Sequence, residues 1–260
     1  MTTYFFASLQ TELLKIRKSK VVFLTAAAFT IAPLMAGFFI FVLKNPEWAK
    51  SSGLLGAKAQ IAGDANWPSY LNMYAQIIAV GGSLIFGFIV SWIFGREYTD
   101  RTIKDLLALP YSRSLIVISK FTASLITNLV VTLYIVILGL LIGWFIGLPQ
   151  FSQEMMFHGL YVIFVVTMLT ILISTPVAFL ASYGKGYLAP LGFIIIVVVF
   201  SQIIAASGYG EYFPWSITAL YSGITGEPVG IKISSLFIIF ITGILGYFST
   251  LYWWLVADQH

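Results

Sequence analysis

Six long stretches without a charged side chain dominate this sequence. They cover residues 21–43, 65–95, 121–153, 155–184, 186–210 and 233–257. Each is longer than the ~20 residues that an α-helix needs to cross the ~30 Å hydrocarbon core of a bilayer. A transmembrane β-strand would alternate apolar with polar residues, whereas the run 194–199 is apolar at every position. The sequence therefore predicts an all-α integral membrane protein, with residues 1–260 forming a single domain.

Prolines, glycines and aromatic residues near the ends of these stretches place the ends of the helices. The predicted transmembrane helices are 21–43, 71–94, 121–147, 159–182, 189–207 and 233–256. Pro33 and Pro176 fall inside the first and fourth of them and predict a kink in each.

The composition narrows the possible functions. Hydrophobic residues make up 59% of the chain and charged residues 9%, against roughly 45–50% and 25% in soluble domains. There is no cysteine, and the two histidines are His158 and His260. We therefore expect neither a catalytic residue nor a metal site in this chain. Its cations are not clustered on an exposed domain, as nucleic-acid binding requires, so membrane lipids are the expected partner and nucleic acid is not.

The cations also predict the orientation in the membrane. Alternate loops divide them into ten on one side (Lys15, Arg17, Lys18, Lys20, Arg96, Arg101, Lys104, Arg113, Lys120 and Lys185) and four on the other (Lys44, Lys50, Lys58 and Lys232). Cytoplasmic loops carry the excess of Lys and Arg. We therefore expect a multi-pass protein of the plasma membrane with both termini in the cytoplasm.

The amino-terminal segment, residues 1–20, precedes the first apolar stretch. Apolar side chains recur in it at helical spacing: Phe5, Phe6, Leu9, Leu13 and Ile16. This pattern predicts an amphipathic helix in the inner headgroup layer. The alternative is that its cations are solvated and serve only to set the topology.

Residues 95–120 form a charged connection between the second and third apolar stretches, with eight of the 24 charges. Its apolar residues recur at intervals of three to four: Ile103, Leu106, Leu107 and Pro110. This spacing predicts a short amphipathic helix that ends near Pro110, with Arg101, Lys104 and Asp105 on its polar face. The alternative is a solvated loop whose cations only enforce topology.

A family resemblance rests on the same loop. Glu97, Thr102, Leu106-Leu107, Pro110, Ser112-Arg113 and Lys120 resemble the E-x-x-x-G-T-x-x-x-L-L-x-x-P-x-S-R…K pattern of type-2 ABC exporter permeases. The chain is similar to their short, single-domain branch, which includes permeases for bacitracin resistance and lantibiotic self-protection. Arg101 departs from the pattern, because glycine is common there.

The resemblance implies a fold and a set of partners. The fold has an amino-terminal interfacial helix, six spans, a cytoplasmic coupling helix between spans two and three, and a short re-entrant segment before span six. The permease would export an amphiphilic or hydrophobic substrate, such as a peptide antibiotic, a lipid or a drug. It would dimerise with itself or with a related permease, and a separate cytoplasmic ATPase subunit would bind ATP and Mg²⁺. The residues expected at or near the ATPase are Glu97, Arg101, Thr102, Lys104, Leu106, Pro110, Ser112 and Arg113, with Glu97 and Arg113 orienting the helix.

The source of energy separates this function from its alternatives. The chain has no G-x-x-x-x-G-K-[ST] loop, the phosphate-binding motif of many ATPases. The six trimmed helices contain no ionisable residue, whereas an ion-driven carrier is expected to hold such residues inside its spans. An ion-coupled secondary transporter remains the first alternative, because carbonyls at broken helices also bind sodium. A non-transporting membrane sensor or immunity scaffold is the second.

The outer segment, residues 208–232, contains an apolar stretch about half as long as a span. Such a stretch dips into the membrane and returns, or lies flat on it. The resemblance identifies it as the re-entrant pair that shields the exit, so the expected outer-gate residues are Pro214, Trp215, Glu211 and Glu227. The two glutamates could meet a cationic substrate or simply be solvated.

Small residues recur every four positions in two of the predicted helices. They are Ser83, Gly87, Ser91 and Gly95 in the second helix, and Gly139, Gly143 and Gly147 in the third. Such ridges let helices approach closely. The pattern fits packing within one bundle as well as a dimer seam.

Overall fold

The computed structural model describes residues 2–51, 64–108, 110, 112–224 and 230–257, and these residues form helices joined by short connections. The α-helices are α1 (Thr2–Lys18), α2 (Lys20–Lys44), α3 (Pro46–Ser51), α4 (Trp67–Thr99), α5 (Ile103–Leu107), α6 (Arg113–Ile146), α7 (Gln153–Ile173), α8 (Thr175–Tyr183), α9 (Leu188–Ala206), α10 (Pro214–Tyr221) and α11 (Ile233–Val256), with a 3₁₀ turn at Gly210–Tyr212. The predicted all-α class is confirmed.

Six segments of the described chain are long and apolar enough to cross a membrane. Spans 1, 2 and 3 are α2, α4 and α6, span 4 is α7 with α8, and spans 5 and 6 are α9 and α11. This confirms the six predicted helices. Spans 2 and 3 contain 33 and 34 residues, about 50 Å each at 1.5 Å per residue, so they extend well beyond the hydrocarbon core.

Span 2 forms the centre of the bundle. Two-thirds of its most apolar part is buried inside the protein, whereas about a third or less of the corresponding part is buried in spans 1, 3, 5 and 6. It contacts α2, α6, α7, α8, α9 and α10. Spans 1, 3, 4 and 5 pack along it, and Trp254 of span 6 contacts Tyr98 near its end. Movement of span 2 therefore affects most of the bundle.

The two ridges of small residues pack inside this bundle. A Cβ on Gly87 would lie 2.6 Å from Ile194 Cδ1, and one on Gly143 would lie 2.7 Å from the Trp67 ring. A Cβ on Gly139 would overlap the ring of Tyr74. Both ridges are therefore needed for packing within one chain. Gly147 has a different role, because its left-handed backbone (φ 67°) ends α6.

The two prolines behave differently. α2 continues as a helix through Pro33. Span 4 is interrupted at Ser174, and Pro176 lies in the first turn of α8. The Thr175 hydroxyl is 2.9 Å from the carbonyl of Leu172 and 2.8 Å from that of Gly243. The interruption is therefore hydrogen-bonded within the bundle, as irregular backbone at membrane depth must be.

Candidate functional site

The connection between spans 2 and 3 begins with a tight turn at the end of α4. The N–H of Thr102 donates to the carbonyl of Glu97 (2.9 Å), and that of Arg101 donates to Tyr98 (3.2 Å). These are the two hydrogen bonds of a Schellman ending. Arg101 has a left-handed backbone, φ 58°, a conformation that favours glycine. This explains why glycine is common here in the motif, and Arg101 keeps the same kind of turn at some cost in strain.

After this turn comes α5, Ile103–Leu107, the short amphipathic helix that the spacing predicts. Ile103 is buried, and Leu106 and Leu107 are half-buried against the core. Lys104 and Asp105 are exposed. Further exposed residues around α5 are Arg101, Thr102, Ala108, Pro110 and Ser112. The connection thus exposes a small surface of mixed charge, while its apolar side chains pack against the core. The helix ends at Leu107, three residues before Pro110.

The first residues of α6 carry two more of the predicted site residues. The Ser112 hydroxyl caps this helix and accepts a hydrogen bond from the N–H of Leu115 (3.3 Å), as N-cap serines do. The guanidinium of Arg113 donates through Nη1 to the carbonyls of Trp254 (3.1 Å) and Leu255 (3.4 Å). Arg113 therefore holds the carboxyl end of span 6. Its predicted role towards an ATPase, like that of the other loop residues, stays a prediction.

Behind this connection lies a cluster of four charged side chains. The Lys120 ammonium is 2.9 Å from Glu97 Oε1 and 3.0 Å from Glu12 Oε2. The Lys15 ammonium is 3.0 Å from Glu97 Oε1 and 2.8 Å from Glu12 Oε1. Two carboxylates and two ammonium groups thus alternate with no net charge. They join α1, the end of span 2 and the start of span 3.

The cluster is deeply buried. The exposed fractions are 0% for Lys120, 1% for Glu97 and 2% for Glu12. Lys120 also donates to the carbonyl of Ile93 (3.0 Å), so its three N–H groups have three acceptors. Glu97 Oε2 is buried and finds no hydrogen-bond partner among the described residues. Glu97 was predicted at the ATPase contact, but in this structure its carboxylate points inward, so any effect on a partner would have to pass through the cluster.

Lys15 is the most exposed member of the cluster, with a quarter of its side chain accessible. Burial lowers the pKa of its ammonium, but the nearby carboxylates of Glu12 and Glu97 raise it by more. The net result is a pKa above the ordinary value. Lys15 therefore stays charged at neutral pH and keeps the cluster balanced.

Sequence reasoning missed this cluster. Glu12 falls at the same helical spacing as Phe5, Leu9 and Ile16, so an acidic residue within an apolar face was the available signal. In the structure this face packs against α6. Phe6, which the spacing predicts to lie on the same face, is exposed. Lys120 lies outside the predicted third span, because the spans are predicted from uncharged stretches alone. The helices that form spans 2 and 3 carry Glu97 and Lys120 all the same.

The described residues of the outer segment form the 3₁₀ turn and α10. Pro214 begins α10, and Trp215 packs edge-on against Phe193, with ring centroids 6.0 Å apart. The Ser216 hydroxyl donates to the carbonyl of Ser201 (2.7 Å). α10 packs against α9, α7 and α4. The segment is therefore seated on the ends of spans 2, 4 and 5.

Glu211 is paired with a lysine at the surface. Its Oε2 lies 2.6 Å from the ammonium of Lys232, and its carbonyl accepts from the Ser235 hydroxyl (3.0 Å). The hydrogen bond to Glu211 and its negative charge raise the pKa of Lys232. Glu227, the second predicted glutamate, lies outside the described residues. No three histidine, aspartate or glutamate side chains in the described ranges lie close enough together to hold a metal ion.

Comparison with known proteins gives the family of the chain. Residues 8–201 match the family described as ABC-2 family transporter protein. The chain is 28% identical over 189 residues to the bacitracin transport permease protein BCRB of Bacillus licheniformis, covering 73% of this chain and 90% of that protein. No solved structure matches it significantly.

Proposed function

Because the chain belongs to the ABC-2 family of transporters, we propose that it is the permease subunit of an ATP-driven exporter. It is a multi-pass protein of the plasma membrane. In the proposed complex a separate cytoplasmic ATPase binds ATP and Mg²⁺, and the permease pairs with a second copy or with a related permease. The permease supplies the path through the membrane.

The observation that carries this proposal is the position of α5 and its attachment to the neighbouring helices. It sits between two helices that extend well beyond the hydrocarbon core, on a tight turn, with Ile103 buried beneath it and Lys104 and Asp105 exposed. A short helix with a charged exposed face, held between two long helices, is suited to contact a soluble partner and to be displaced by it. Since α5 continues into α6 within a few residues, such a displacement reaches spans 2 and 3 together.

The buried cluster links the elements that would take part in this movement. Glu97 and Lys120 tie the ends of spans 2 and 3 to each other, and Glu12 ties both of them to α1. Separating buried opposite charges is costly, because each would be left unpaired away from water. We therefore expect these three elements to move as one body when the ATPase closes, with Glu97 acting through the cluster.

The proposed substrate is an amphiphile of the peptide-antibiotic class. One support is the similarity to a bacitracin transport permease. Another is that several polar side chains in the spans bond within their own helices. Thr127, Thr167 and Thr170 each donate to the carbonyl four residues earlier. These three hydroxyl groups are therefore not available to line a hydrophilic channel. The same chemistry would suit a lipid or a hydrophobic drug, and membrane lipids surround the spans in any case.

The outer segment has a place in the same proposal. α10 is short and its Ser216 and Thr218 are fully buried among neighbouring helices. We propose that it dips into the outer face of the membrane and shields the exit, with Pro214 and Trp215 at its start. The expected gate therefore lies at the opposite end of the spans from α5.

A cross-linking experiment tests the coupling contact. The native chain has no cysteine, so Asp105→Cys gives a single thiol on the exposed face of α5. We expect this thiol to react with impermeant reagents only from the cytoplasmic side, and a bifunctional reagent to join it to the co-expressed ATPase. A thiol at Tyr212, in the outer segment, serves as the matched control and should react only from outside. Labelling of Asp105→Cys from outside, or purification without any ATPase, would contradict the proposal and favour a scaffold or a carrier.

A further inference from the structure

The inner end of span 6 is held by three other elements. Arg113 donates to the carbonyls of Trp254 and Leu255. The Trp254 indole N–H donates to the Ser182 hydroxyl (2.9 Å), and its ring packs edge-on against Tyr98. Trp254 is completely buried. The carboxyl end of α11 is thus fixed to the start of α6, to the end of α8 and to the end of α4.

The outer end of span 6 is held by the outer segment. Lys232, the residue just before α11, pairs with the Glu211 carboxylate, and Ser235 in its first turn donates to the Glu211 carbonyl. Glu211 lies in the 3₁₀ turn that leads into α10. Two separate contacts, one to the side chain and one to the backbone, therefore attach this turn to α11.

Between these two ends α11 is continuous. It runs for 24 residues without a proline, about 36 Å at 1.5 Å per residue. Gly243 and Gly246 allow it to pack closely on span 4, where their hypothetical Cβ atoms would overlap Leu172 and Pro176. A helix of this kind transmits displacement along its axis with little bending, because kinks arise mostly at prolines or at interruptions of the hydrogen-bond ladder.

We propose that span 6 is the element that carries movement of the α5 connection to the outer segment, with Arg113 and Glu211 as positioning residues at its two ends. This inference rests on the proposed function. When the ATPase displaces α5 and the start of α6, Arg113 moves the carboxyl end of α11. The amino end of α11 then moves the 3₁₀ turn through Lys232 and Ser235, and α10 moves with it.

Span 2 offers a competing route. It joins α5 at one end, and near the other end the Gln76 amide donates to the carbonyl of Gly223, just after α10 (3.2 Å). α4 also packs against α10, as α11 does, so packing alone does not separate the two routes. The polar attachments differ, because span 2 has this one hydrogen bond from a side chain to a turn, whereas span 6 has an ion pair and a second hydrogen bond. The geometry therefore favours span 6.

The test uses Tyr212→Cys as the only thiol in the permease, reconstituted with its ATPase. The labelling rate of this thiol from outside is measured with and without ATP and vanadate. We expect the rate to change with nucleotide in the otherwise native chain. Arg113→Gln should abolish this change, and Arg113→Lys, which keeps a cationic donor, should restore it. Lys232→Met combined with Ser235→Ala should abolish the change from the outer end while ATP hydrolysis continues, so the test does not depend on how Arg113→Gln folds or binds the ATPase. Gln76→Ala should leave it intact.

The outcomes separate this inference from the proposed function. If nucleotide alters neither labelling nor transport in the native chain, the proposed function fails and the inference fails with it. If the native chain responds and Arg113→Gln responds equally, only the role of span 6 is overturned. Loss of the response in Gln76→Ala, with retention in the double variant at Lys232 and Ser235, would assign the movement to span 2.

Discussion

The ammonium of Lys120 lies 2.9 Å from the carboxylate of Glu97 inside the protein, and this pair joins span 3 to span 2 next to the α5 connection. Neither group has appreciable contact with solvent. A buried pair of this kind contributes little net stability by itself, but losing one partner is costly. The pair therefore makes the two helices depend on each other.

Replacement of Lys120 by methionine should destabilise the folded protein strongly. It would leave Glu12 and Glu97 buried and facing each other with Lys15 as their remaining cation. The expected loss is about 3–5 kcal/mol, as for other broken buried pairs. Thermal unfolding of the detergent-solubilised permease measures it.

The control for this prediction is Lys18→Met, which removes an exposed cation from the last turn of α1 and should change the midpoint little. The double variant Lys120→Met, Glu97→Gln removes one charge of each sign and should recover part of the loss. If the double variant were as unstable as the sum of the two single variants, the two side chains would not be coupled.

Replacement of Arg101 by glycine should stabilise the protein slightly. A left-handed backbone costs a non-glycine residue roughly 1–2 kcal/mol, and glycine removes this strain. Glycine also increases the conformational entropy of the unfolded chain, which offsets part of the gain in stability. We expect a net gain of up to about 1 kcal/mol in unfolding measurements. Lys104→Gly, inside α5, should instead lose about 1 kcal/mol. Equal destabilisation by both changes would show that the Arg101 side chain matters more than its backbone.

Replacement of Gly95 by alanine tests whether its ridge packs within one chain. The new Cβ would lie 2.6 Å from the carbonyl carbon of Gly186 and 2.8 Å from the nitrogen of Tyr187. These are backbone atoms that cannot rotate away, so we expect a loss of about 1–3 kcal/mol, typical of overpacking. Gly192→Ala is the control, because no atom lies within 4 Å of its added Cβ. A variant at Gly95 that lost dimers but kept full monomer stability would place this ridge at a dimer seam.

The raised pKa of Lys15 predicts a dependence on alkaline pH. A lysine whose folded pKa exceeds its unfolded value contributes stability that is complete below the unfolded value and is lost as pH rises through the folded value. The stability difference between the native chain and Lys15→Met should therefore be constant around neutral pH and shrink above about 10.5. Chemical unfolding at a series of pH values measures this difference. A difference that disappeared on acidification from neutral to mildly acidic pH would assign the effect to another group.

The long-range features of the fold could be predicted where one physical requirement dominates. Crossing a bilayer demands long uncharged helices, so the six spans follow from the positions of the charges. The alternation of apolar and charged residues at Ile103–Leu107 likewise predicts α5. The ends of the helices were harder to predict. For example, α6 starts at Arg113 rather than near residue 121. Ser112 caps it, and Lys120 is neutralised inside the bundle instead of marking the edge of the membrane.

Contacts between distant residues could not be predicted from periodicity. Glu12 and Lys120 are 108 positions apart, and Arg113 and Trp254 are 141 apart. Periodicity indicates which face of a helix is buried, but it does not identify the partner that meets a particular side chain. Arg113 was expected at an ATPase contact from its place in a motif, whereas its hydrogen bonds reach the end of span 6. The pairing of Glu211 with Lys232 could not be predicted from periodicity either.

Transport by purified components in sealed vesicles tests the central claim most directly. The permease is reconstituted with its ATPase, and movement of a labelled peptide antibiotic is followed with ATP or with an imposed proton or sodium gradient. The account predicts transport that requires both the ATPase and ATP hydrolysis. Vigorous transport by the permease alone, driven by an ion gradient without nucleotide, would contradict it.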